Sequence, residues 1–143
     1  TLYRESDIIT IHTPLLPETT GMINRETIAK MKDGVVFIDN ARGELVDIDA
    51  VTEAVESGKF GALFMDAFPG ETGIIHVPHD EDIIRTPGMP YIKLKYLRSF
   101  LNVYHTPPMA FFTEEAAEQM AECGVNSIYE ILTDGKSKHE IPC

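Results

Sequence analysis

An arginine directly follows a strand-forming run in the stretch FIDNARGELVD, which begins at Phe37 and ends at Asp47. The apolar and β-branched residues before it predict a buried strand, and such strands usually end in turn residues. The guanidinium of Arg42 at this position requires an anion close by. That anion is either a carboxylate of the chain, such as Asp47, or a group that the protein binds. For Arg42 taken alone, pairing with Asp47 or plain surface exposure is favoured.

Two further segments place polar residues after strand-forming runs. Thr13-Pro14 follows DIITIH, and the segment from Asp66 to Glu71 follows GALFM. The segment from Asn40 to Gly43 has the same kind of position, and in open parallel sheets ligands bind beyond the C-terminal ends of the strands. The common placement of the three segments predicts a binding site there, although Asp66 alone would be a turn residue and Glu71 alone a loop carboxylate.

The histidines and cysteines give weaker signals. His76 and His79 have a spacing that could hold a metal ion, but no third ligand is evident, so solvated loop residues are favoured and no metal site is predicted. His12 is expected to pack or hydrogen-bond at the end of its strand. Cys123 and Cys143 form no CxxC pair, and two free thiols indicate a reducing, cytoplasmic location.

The charge and hydropathy of the chain narrow the classes of partner. Twelve lysine and arginine residues against 23 aspartate and glutamate residues give a net charge of −11. Such a surface repels phosphate backbones and anionic lipids, so nucleic-acid and membrane binding are not expected. No apolar run approaches the roughly 20 residues of a membrane helix, and no secretory leader is visible. Since the chain begins at Thr1, close to a strand, residue 1 is expected to be a cut or processed end.

The periodicity predicts alternating strands and helices. Strands are expected near 7–12, 35–39, 61–66 and 101–105, and helices near 24–32, 48–57 and 113–133. The predicted N-caps of the three helices are Asn24, then Asp47 or Asp49, and Thr113. This order is typical of βαβ units and a parallel sheet. The strand VVFID, whose apolar residues do not alternate with polar ones, is expected to be buried on both faces. Residues 69–99 hold four of the nine prolines without a clear period, and an irregular excursion is predicted there.

Four segments together resemble the C-terminal part of the D-isomer-specific 2-hydroxyacid dehydrogenases, in order and in spacing. They read SDIITIHTPLLPETTGMIN, MKDGVVFIDNARGELVD, GKFGALFMDAFPGE and LNVYHTPPMAFFTEEA. The long excursion and the AFFTEEA ending are most similar to the D-lactate dehydrogenase branch. The resemblance implies half of a doubly wound parallel, Rossmann-type sheet plus a C-terminal helix of the substrate domain. Residues 1–106 would form the C-terminal half of the NAD-binding domain, with the excursion at 69–99, and residues 107–143 a loop and helical segment returning to the substrate domain.

The same resemblance implies an NAD-dependent enzyme that reduces a small 2-keto acid to a D-2-hydroxy acid, of the D-lactate/pyruvate type. Arg42 matches the arginine that holds the substrate carboxylate and polarises its carbonyl, as a planar guanidinium is suited to do. Glu71 matches the glutamate that orients the catalytic histidine and raises its pKa. The positions that match residues lining the dinucleotide, with Asp66 near the nicotinamide, are Thr13, Pro14, Thr19, Asn40, Ala41 and Asp66.

Two departures from the family pattern bear on activity. Pro108 occupies the position of the catalytic histidine, and proline cannot supply the proton that the product alkoxide needs. His105 lies three positions upstream, and an odd offset on an extended backbone points to the opposite face, so it is not expected to substitute. The chain also contains no GxGxxG segment, which would seat the pyrophosphate. This chain alone is therefore predicted to be inactive and to bind NAD weakly or not at all.

Two explanations of the chain remain open. It is either a piece of a D-2-hydroxyacid dehydrogenase or a catalytically dead, stand-alone module that packs, dimerises or regulates. The reading frame upstream of Thr1 would distinguish them. An open sheet edge and apolar faces predict a homo-oligomer in both cases.

Overall fold

Four parallel strands form the centre of the protein. The computed structural model describes residues 2–71 and 89–140, without the side chains of residues 89–91. The strands lie side by side in chain order, and they are β1 (Ile8–Ile11), β2 (Val35–Asp39), β3 (Phe60–Met65) and β4 (Val103–His105). All three pairings are parallel. The predicted parallel α/β sheet is confirmed, and each predicted strand lies within two residues of its expected position at either end.

The register places one row of apolar side chains across the sheet. Ile9 pairs with Phe37, Phe37 with Leu63, and Leu63 with Val103. Ile9, Phe37 and Leu63 are buried and Val103 packs against them. Because successive strand residues point to opposite sides, this row and its neighbours two residues away form the core face of the sheet.

The opposite face of the sheet is much less covered. Ile8 is 63% exposed and Tyr104 is 53% exposed, and the Tyr104 ring stacks on Phe64 with ring centroids 4.6 Å apart. In β2, Val36 and Ile38 are only partly buried. The prediction that this strand is buried on both faces is therefore wrong for its second face, in the part of the chain that the structure describes.

Short helices precede and connect the strands. The chain forms α1 (Leu2–Glu5), α2 (Arg25–Ala29), a 3₁₀ turn (Gly43–Leu45) and α3 (Ile48–Glu56). Both α2 and α3 have side-chain N-caps. The carboxylate of Asp47 accepts the N–H groups of Asp49 and Ala50, so Asp47 and not Asp49 is the N-cap of α3. One face of α3 is buried, and it carries Ala50, Val51, Ala54 and Val55.

A further helix, α4 (Met89–Leu97), lies within the stretch predicted to be an irregular excursion. Leu94 and Leu97, three residues apart, are buried in the core. Lys93 pairs with Asp49, and the hydroxyl of Tyr96 donates to Glu56 at 2.6 Å. The prediction for 69–99 is therefore wrong at 89–97, because these contacts to α3 stabilise a helix; residues 72–88 lie outside the described residues.

The chain divides into two compact units, Thr1–Pro108 and Met109–Cys143. The second unit contains one long helix, α5 (Glu114–Asp134). The hydroxyl of Thr113 accepts the N–H of Ala116, and Gly135 ends the helix with φ 75°, a conformation that favours glycine. No residue of α5 is buried. The boundary predicted from the sequence lies at residue 106, and the assignment of 107–143 to a substrate domain stays a prediction.

Candidate active site

An open cavity of about 580 Å³ lies at the C-terminal ends of β1 and β2. The residues that line it are His12, Thr13, Pro14, Leu15, Asn40, Ala41 and Arg42. They combine apolar surface with a few polar groups, as small-molecule sites usually do. Two of the three segments predicted to border a site, Thr13-Pro14 and the Asn40 loop, therefore lie together at this edge of the sheet.

Thr19 shapes the cavity wall without lining the cavity. Its hydroxyl donates to the carbonyl of Pro14 at 2.8 Å and accepts the N–H of Leu16 at 2.8 Å. These bonds close the loop after β1 and hold Pro14 in place. His12 hydrogen-bonds to the hydroxyl of Thr10 at 2.9 Å, which confirms the expected hydrogen bond at the strand end.

Arg42 is an exposed guanidinium on the cavity wall. Its Nη1 donates to the carbonyl of Ala41 at 2.8 Å. Asp47 caps α3 and lies 3.4 Å from Arg25, so it does not pair with Arg42. Within 2–71 and 89–140, no carboxylate lies within ion-pair distance of Arg42. The guanidinium is therefore available to a bound anion.

Gly43 brings two loops of the site into backbone contact. A Cβ atom at this position would lie 2.2 Å from the carbonyl carbon of Phe68 and 2.3 Å from the nitrogen of Pro69. The side chain of Glu44 also accepts the N–H of Gly70 at 3.4 Å. Only glycine allows the loop after β2 to lie this close to the loop after β3.

Asp66 lies at the end of β3 but not on the cavity wall. It is buried, and the hydroxyl of Thr106 donates to its Oδ1 at 2.5 Å. The N–H of Asp66 donates to the carbonyl of Asp39 at 2.9 Å, and the N–H of Thr106 donates to that of Met65 at 3.0 Å. Asp66 thus connects the ends of three strands, and its predicted place near the nicotinamide stays a prediction.

Glu71 closes the turn that follows Asp66. Its carboxylate accepts the N–H of Phe68 at 3.0 Å, and its own N–H donates to the carbonyl of Phe68 at 3.0 Å. Two reciprocal bonds therefore hold Glu71 in the loop that packs against Gly43. The predicted role of Glu71, orienting a histidine, stays a prediction.

The imidazole of His105 lies beside this loop. Its ring meets the edge of Phe68 with centroids 6.3 Å apart. Burial lowers the pKa of His105 below its ordinary 6.5, the charge of Arg98 lowers it further, and the carboxylates of Glu71 and Asp66 oppose them. A lowered pKa keeps the imidazole neutral at pH 7, which makes it a poor proton donor there. Pro108, which the resemblance places in the histidine position of the family, is half-buried.

Asp39 is a site residue that was not predicted from the sequence. Its side chain is fully buried; Oδ1 accepts the N–H of Ala41 at 3.0 Å, and Oδ2 has no hydrogen-bond partner among the described residues. Burial raises the pKa of Asp39 to about 6, although the amides of Ala41 and Arg42 lower it. The alternation of side chains along β2 could have indicated that Asp39 is buried, because it places residue 39 on the same core face as Val35 and Phe37.

The part of the chain that the structure describes contains no group of three histidine, cysteine, aspartate or glutamate residues able to hold a metal ion. His76 and His79 lie outside that part. No helix of the described residues is long and apolar enough to span a membrane.

Comparison with known proteins gives consistent matches. The family model for the D-isomer specific 2-hydroxyacid dehydrogenase, NAD binding domain, matches residues 1–110. An aromatic 2-oxoacid reductase of Clostridium sporogenes is 38% identical over 142 residues, 99% of this chain and 41% of the reductase. The D-lactate dehydrogenase of Lactobacillus delbrueckii subsp. bulgaricus is 38% identical over 135 residues, 94% of this chain and 39% of that enzyme.

Solved structures show the same likeness. The crystal structure of D-lactate dehydrogenase with NAD+ from Lactobacillus jensenii has a TM-score of 0.84 at 32% identity, over 99% of this chain and 41% of that one. The pyruvate reductase of Chlamydomonas reinhardtii has a TM-score of 0.86 at 36% identity, over 97% of this chain and 41% of that one. The chain thus spans about 41% of the length of these relatives.

The parallel sheet, with a cavity at the C-terminal ends of its strands, is the arrangement in which open α/β sheets bind their ligands. The cavity's volume of about 580 Å³ and its polar and apolar walls are those of a small-molecule site. The resemblance seen in the sequence and the NAD cofactor that it implied are confirmed by the family match, and the chain belongs to the NAD-binding domain family of the D-isomer specific 2-hydroxyacid dehydrogenases.

Proposed function

We propose that the protein is an NAD-dependent D-2-hydroxyacid dehydrogenase that reduces a small 2-keto acid, of the D-lactate/pyruvate type. The observation that supports this most directly is the Arg42 guanidinium, which lines the cavity and has no carboxylate partner among the described residues. In a chain of this family, an exposed cation at the end of a central strand fits an anionic substrate.

Arg42 binds the substrate through its carboxylate. A guanidinium presents two parallel N–H donors that match the two oxygens of a carboxylate, so the contact fixes orientation as well as position. In a 2-keto acid the carbonyl is bonded directly to the carboxylate carbon. Holding the carboxylate at Arg42 therefore places the carbonyl next to the same positive charge, which polarises it.

The cofactor would be held at the same edge of the sheet. Thr13, Pro14, Asn40 and Ala41 line the cavity and would contact it, with Thr19 holding Pro14 and Asp66 at the adjacent strand end. NADH supplies the hydride when bound. Because the chain has no GxGxxG segment, we expect this chain alone to bind NAD weakly or not at all. Calorimetry on the 143-residue chain tests this, and micromolar binding of NAD would contradict it.

Among the described residues, the site lacks an evident donor for the proton that the reaction needs. Reduction of a ketone leaves an alkoxide that must be protonated, and Pro108 stands where the resemblance places the proton donor. Glu71 is held in its loop by Phe68, so it would still face the site without an imidazole to orient. Loss of a general acid typically lowers a rate by roughly 10²–10⁴-fold. We therefore expect the complete product, with Pro108 in place, to have a low kcat for the keto acid.

Steady-state kinetics on the product of the complete reading frame test the proposal. Pyruvate and phenylpyruvate are suitable substrates, since one relative is named a D-lactate dehydrogenase and another an aromatic 2-oxoacid reductase. Arg42→Lys keeps the charge but loses the paired donors, so the KM for the keto acid should rise at least about tenfold. Arg25→Lys is the matched control, because Arg25 pairs with Glu53 away from the cavity. An unchanged KM in Arg42→Lys would overturn the role of Arg42.

The alternative is a catalytically dead module that packs, dimerises or regulates, and Pro108 is the observation that favours it. A complete product that reduces no 2-keto acid, even after Pro108→His, would support this alternative. Either protein would be a cytoplasmic homo-oligomer under our proposal. The exposed face that carries Ile8, Phe64 and Tyr104 supports self-association. Sedimentation over a concentration series tests it, and a monomer at high concentration would contradict it.

A further inference from the structure

Asp39 is a buried acidic residue at the end of β2, just before the loop that carries Arg42. Its side chain has no exposed surface, and Oδ2 lacks a hydrogen-bond partner among the described residues. A buried polar atom without a partner costs free energy, and the cost is larger if the group is charged. An apolar residue would avoid this cost at a core position, so the carboxyl needs a role that offsets it.

The other oxygen of Asp39 connects it to Arg42 through one residue. Oδ1 accepts the N–H of Ala41, two residues on, at 3.0 Å. This is the Asx turn, in which a short acidic side chain fixes the backbone that follows it. The carbonyl of the same Ala41 accepts the Nη1 of Arg42 at 2.8 Å. Ala41 is therefore held on one side by Asp39 and on the other by the guanidinium.

The frame around this turn leaves it little room to move. The carbonyl of Asp39 accepts the N–H of Asp66 at 2.9 Å, which ties the end of β2 to the end of β3. On the other side of Arg42, the backbone of Gly43 packs against that of Phe68. The turn from Asp39 to Gly43 is thus fixed at both ends, and the carboxyl of Asp39 sets its conformation in between.

We propose that Asp39 is a positioning residue, whose carboxyl fixes the turn at Ala41 and thereby orients the Arg42 guanidinium toward the substrate carboxylate. The proposal rests on the proposed function of Arg42. Asp39 does not line the cavity, so it acts through Ala41 and Arg42 and does not touch the substrate.

The surroundings of Asp39 make its positioning role depend on pH. The pKa of Asp39 is raised to about 6, mainly by burial; the amides of Ala41 and Arg42 lower it, and Glu44 in the 3₁₀ turn and Glu71 in the loop after β3 raise it as well. The ionised carboxylate is the stronger acceptor for the Ala41 amide. The KM for the keto acid should therefore fall as the pH rises through about 6, without a matching change in kcat from this group.

Two substitutions at residue 39 test the proposal in the product of the complete reading frame, with pyruvate as the probe. Asp39→Ala removes the acceptor, so the KM should rise about tenfold while kcat changes less than about twofold. Asp39→Asn keeps an acceptor for the Ala41 amide, so its KM at pH 8 should equal that of the unsubstituted protein. Because asparagine does not ionise, this KM should no longer depend on pH near 6. Asp33→Asn is the matched control, since Asp33 lies exposed at the other end of β2; it should leave the KM and its pH dependence unchanged.

A second measurement, by NMR on the 143-residue chain, requires neither enzymatic activity nor a folded Asp39→Ala variant. The NMR signal of the Arg42 Nε–H group should shift as the pH passes through about 6, and this step should be absent in Asp39→Asn. If the step appears but the complete product reduces no keto acid, the proposed function fails, while the control of the Arg42 guanidinium by the Asp39 carboxyl stands. If the Arg42 signal shows no step that depends on Asp39, or if the KM of Asp39→Ala equals that of the unsubstituted protein, the positioning role is overturned.

Discussion

Asp39→Asn should change how the stability of the chain depends on pH. The pKa of Asp39 is about 6 in the folded protein, against an ordinary value of 3.8. The folded state therefore holds this proton more tightly than the unfolded chain does, and protonation stabilises the fold. The contribution of Asp39 protonation to the free energy of unfolding is fully present below pH 3.8 and is lost as the pH rises through about 6.

The expected size follows from the two pKa values. A difference of about two in pKa corresponds to about 3 kcal/mol in the free energy of unfolding. Asparagine has the same shape, keeps an acceptor for Ala41 and does not ionise. The free energy of unfolding of Asp39→Asn minus that of the unsubstituted chain should therefore increase by roughly 2.5 kcal/mol between pH 4 and pH 8. Most of the change should fall below pH 6.5.

Urea unfolding followed by circular dichroism at several pH values measures this difference. All other titrating groups are present in both proteins, so their contributions cancel apart from the coupling of Asp39 to Glu44 and Glu71. Asp33→Asn, which removes a carboxylate with 91% of its side chain exposed, should change stability by less than about 1 kcal/mol at every pH. A difference for Asp39→Asn that stays flat from pH 4 to pH 8 would show that the Asp39 carboxyl is solvated or paired, and would refute the reasoning.

Three other substitutions test separate parts of the structure. Gly43→Ala forces apart the backbones that meet at Phe68, so urea unfolding should show a free energy of unfolding lower by about 1–3 kcal/mol. Gly124→Ala, where an added Cβ meets nothing within 4 Å, should not lower it. Equal effects of the two substitutions would contradict the close approach at Gly43. Tyr96→Phe removes the bond to Glu56 and should destabilise the chain by about 0.5–1 kcal/mol, and a neutral result would mean that this bond does not hold α4. Pro108→His in the complete product should raise kcat for pyruvate by roughly 10²–10⁴-fold, and normal dehydrogenase rates with Pro108 in place would contradict the predicted defect.

The strands and the capped helices could be predicted because their signals are local. β-branched runs such as Asp7–His12 mark a strand wherever the sheet lies, and Asn24 and Asp47 mark helix starts through bonds to amides only two or three residues away. α4 carries no such signal. Its sequence, MPYIKLKYL, shows no helical period, and only Leu94 and Leu97 of its described side chains are buried. The helix is stabilised by contacts to α3, whose residues lie about 40 positions away in the chain.

The candidate site was predictable in its location but not in its contacts. The residues Thr13, Asn40 and Arg42 could be placed at strand ends, because parallel strands bring those ends to one edge. Whether Arg42 pairs with Asp47 depends on where α2 puts Arg25, which takes the carboxylate instead. Such competition is decided by tertiary packing. Asp39 was missed for another reason, since a carboxylate at a core position is uncommon and runs against the usual expectation of exposure.

The order of the strands has a consequence for the way the chain folds during its synthesis. Each described strand pairs only with the strand before it and the strand after it in the sequence. β2 can therefore join β1 as soon as it is made, and β3 can join β2 without waiting for a later segment. β4 joins last, after the longest connection, so its docking bears the largest loop-closure cost. The sheet is one that can grow in a single direction, strand by strand, as the chain leaves the ribosome.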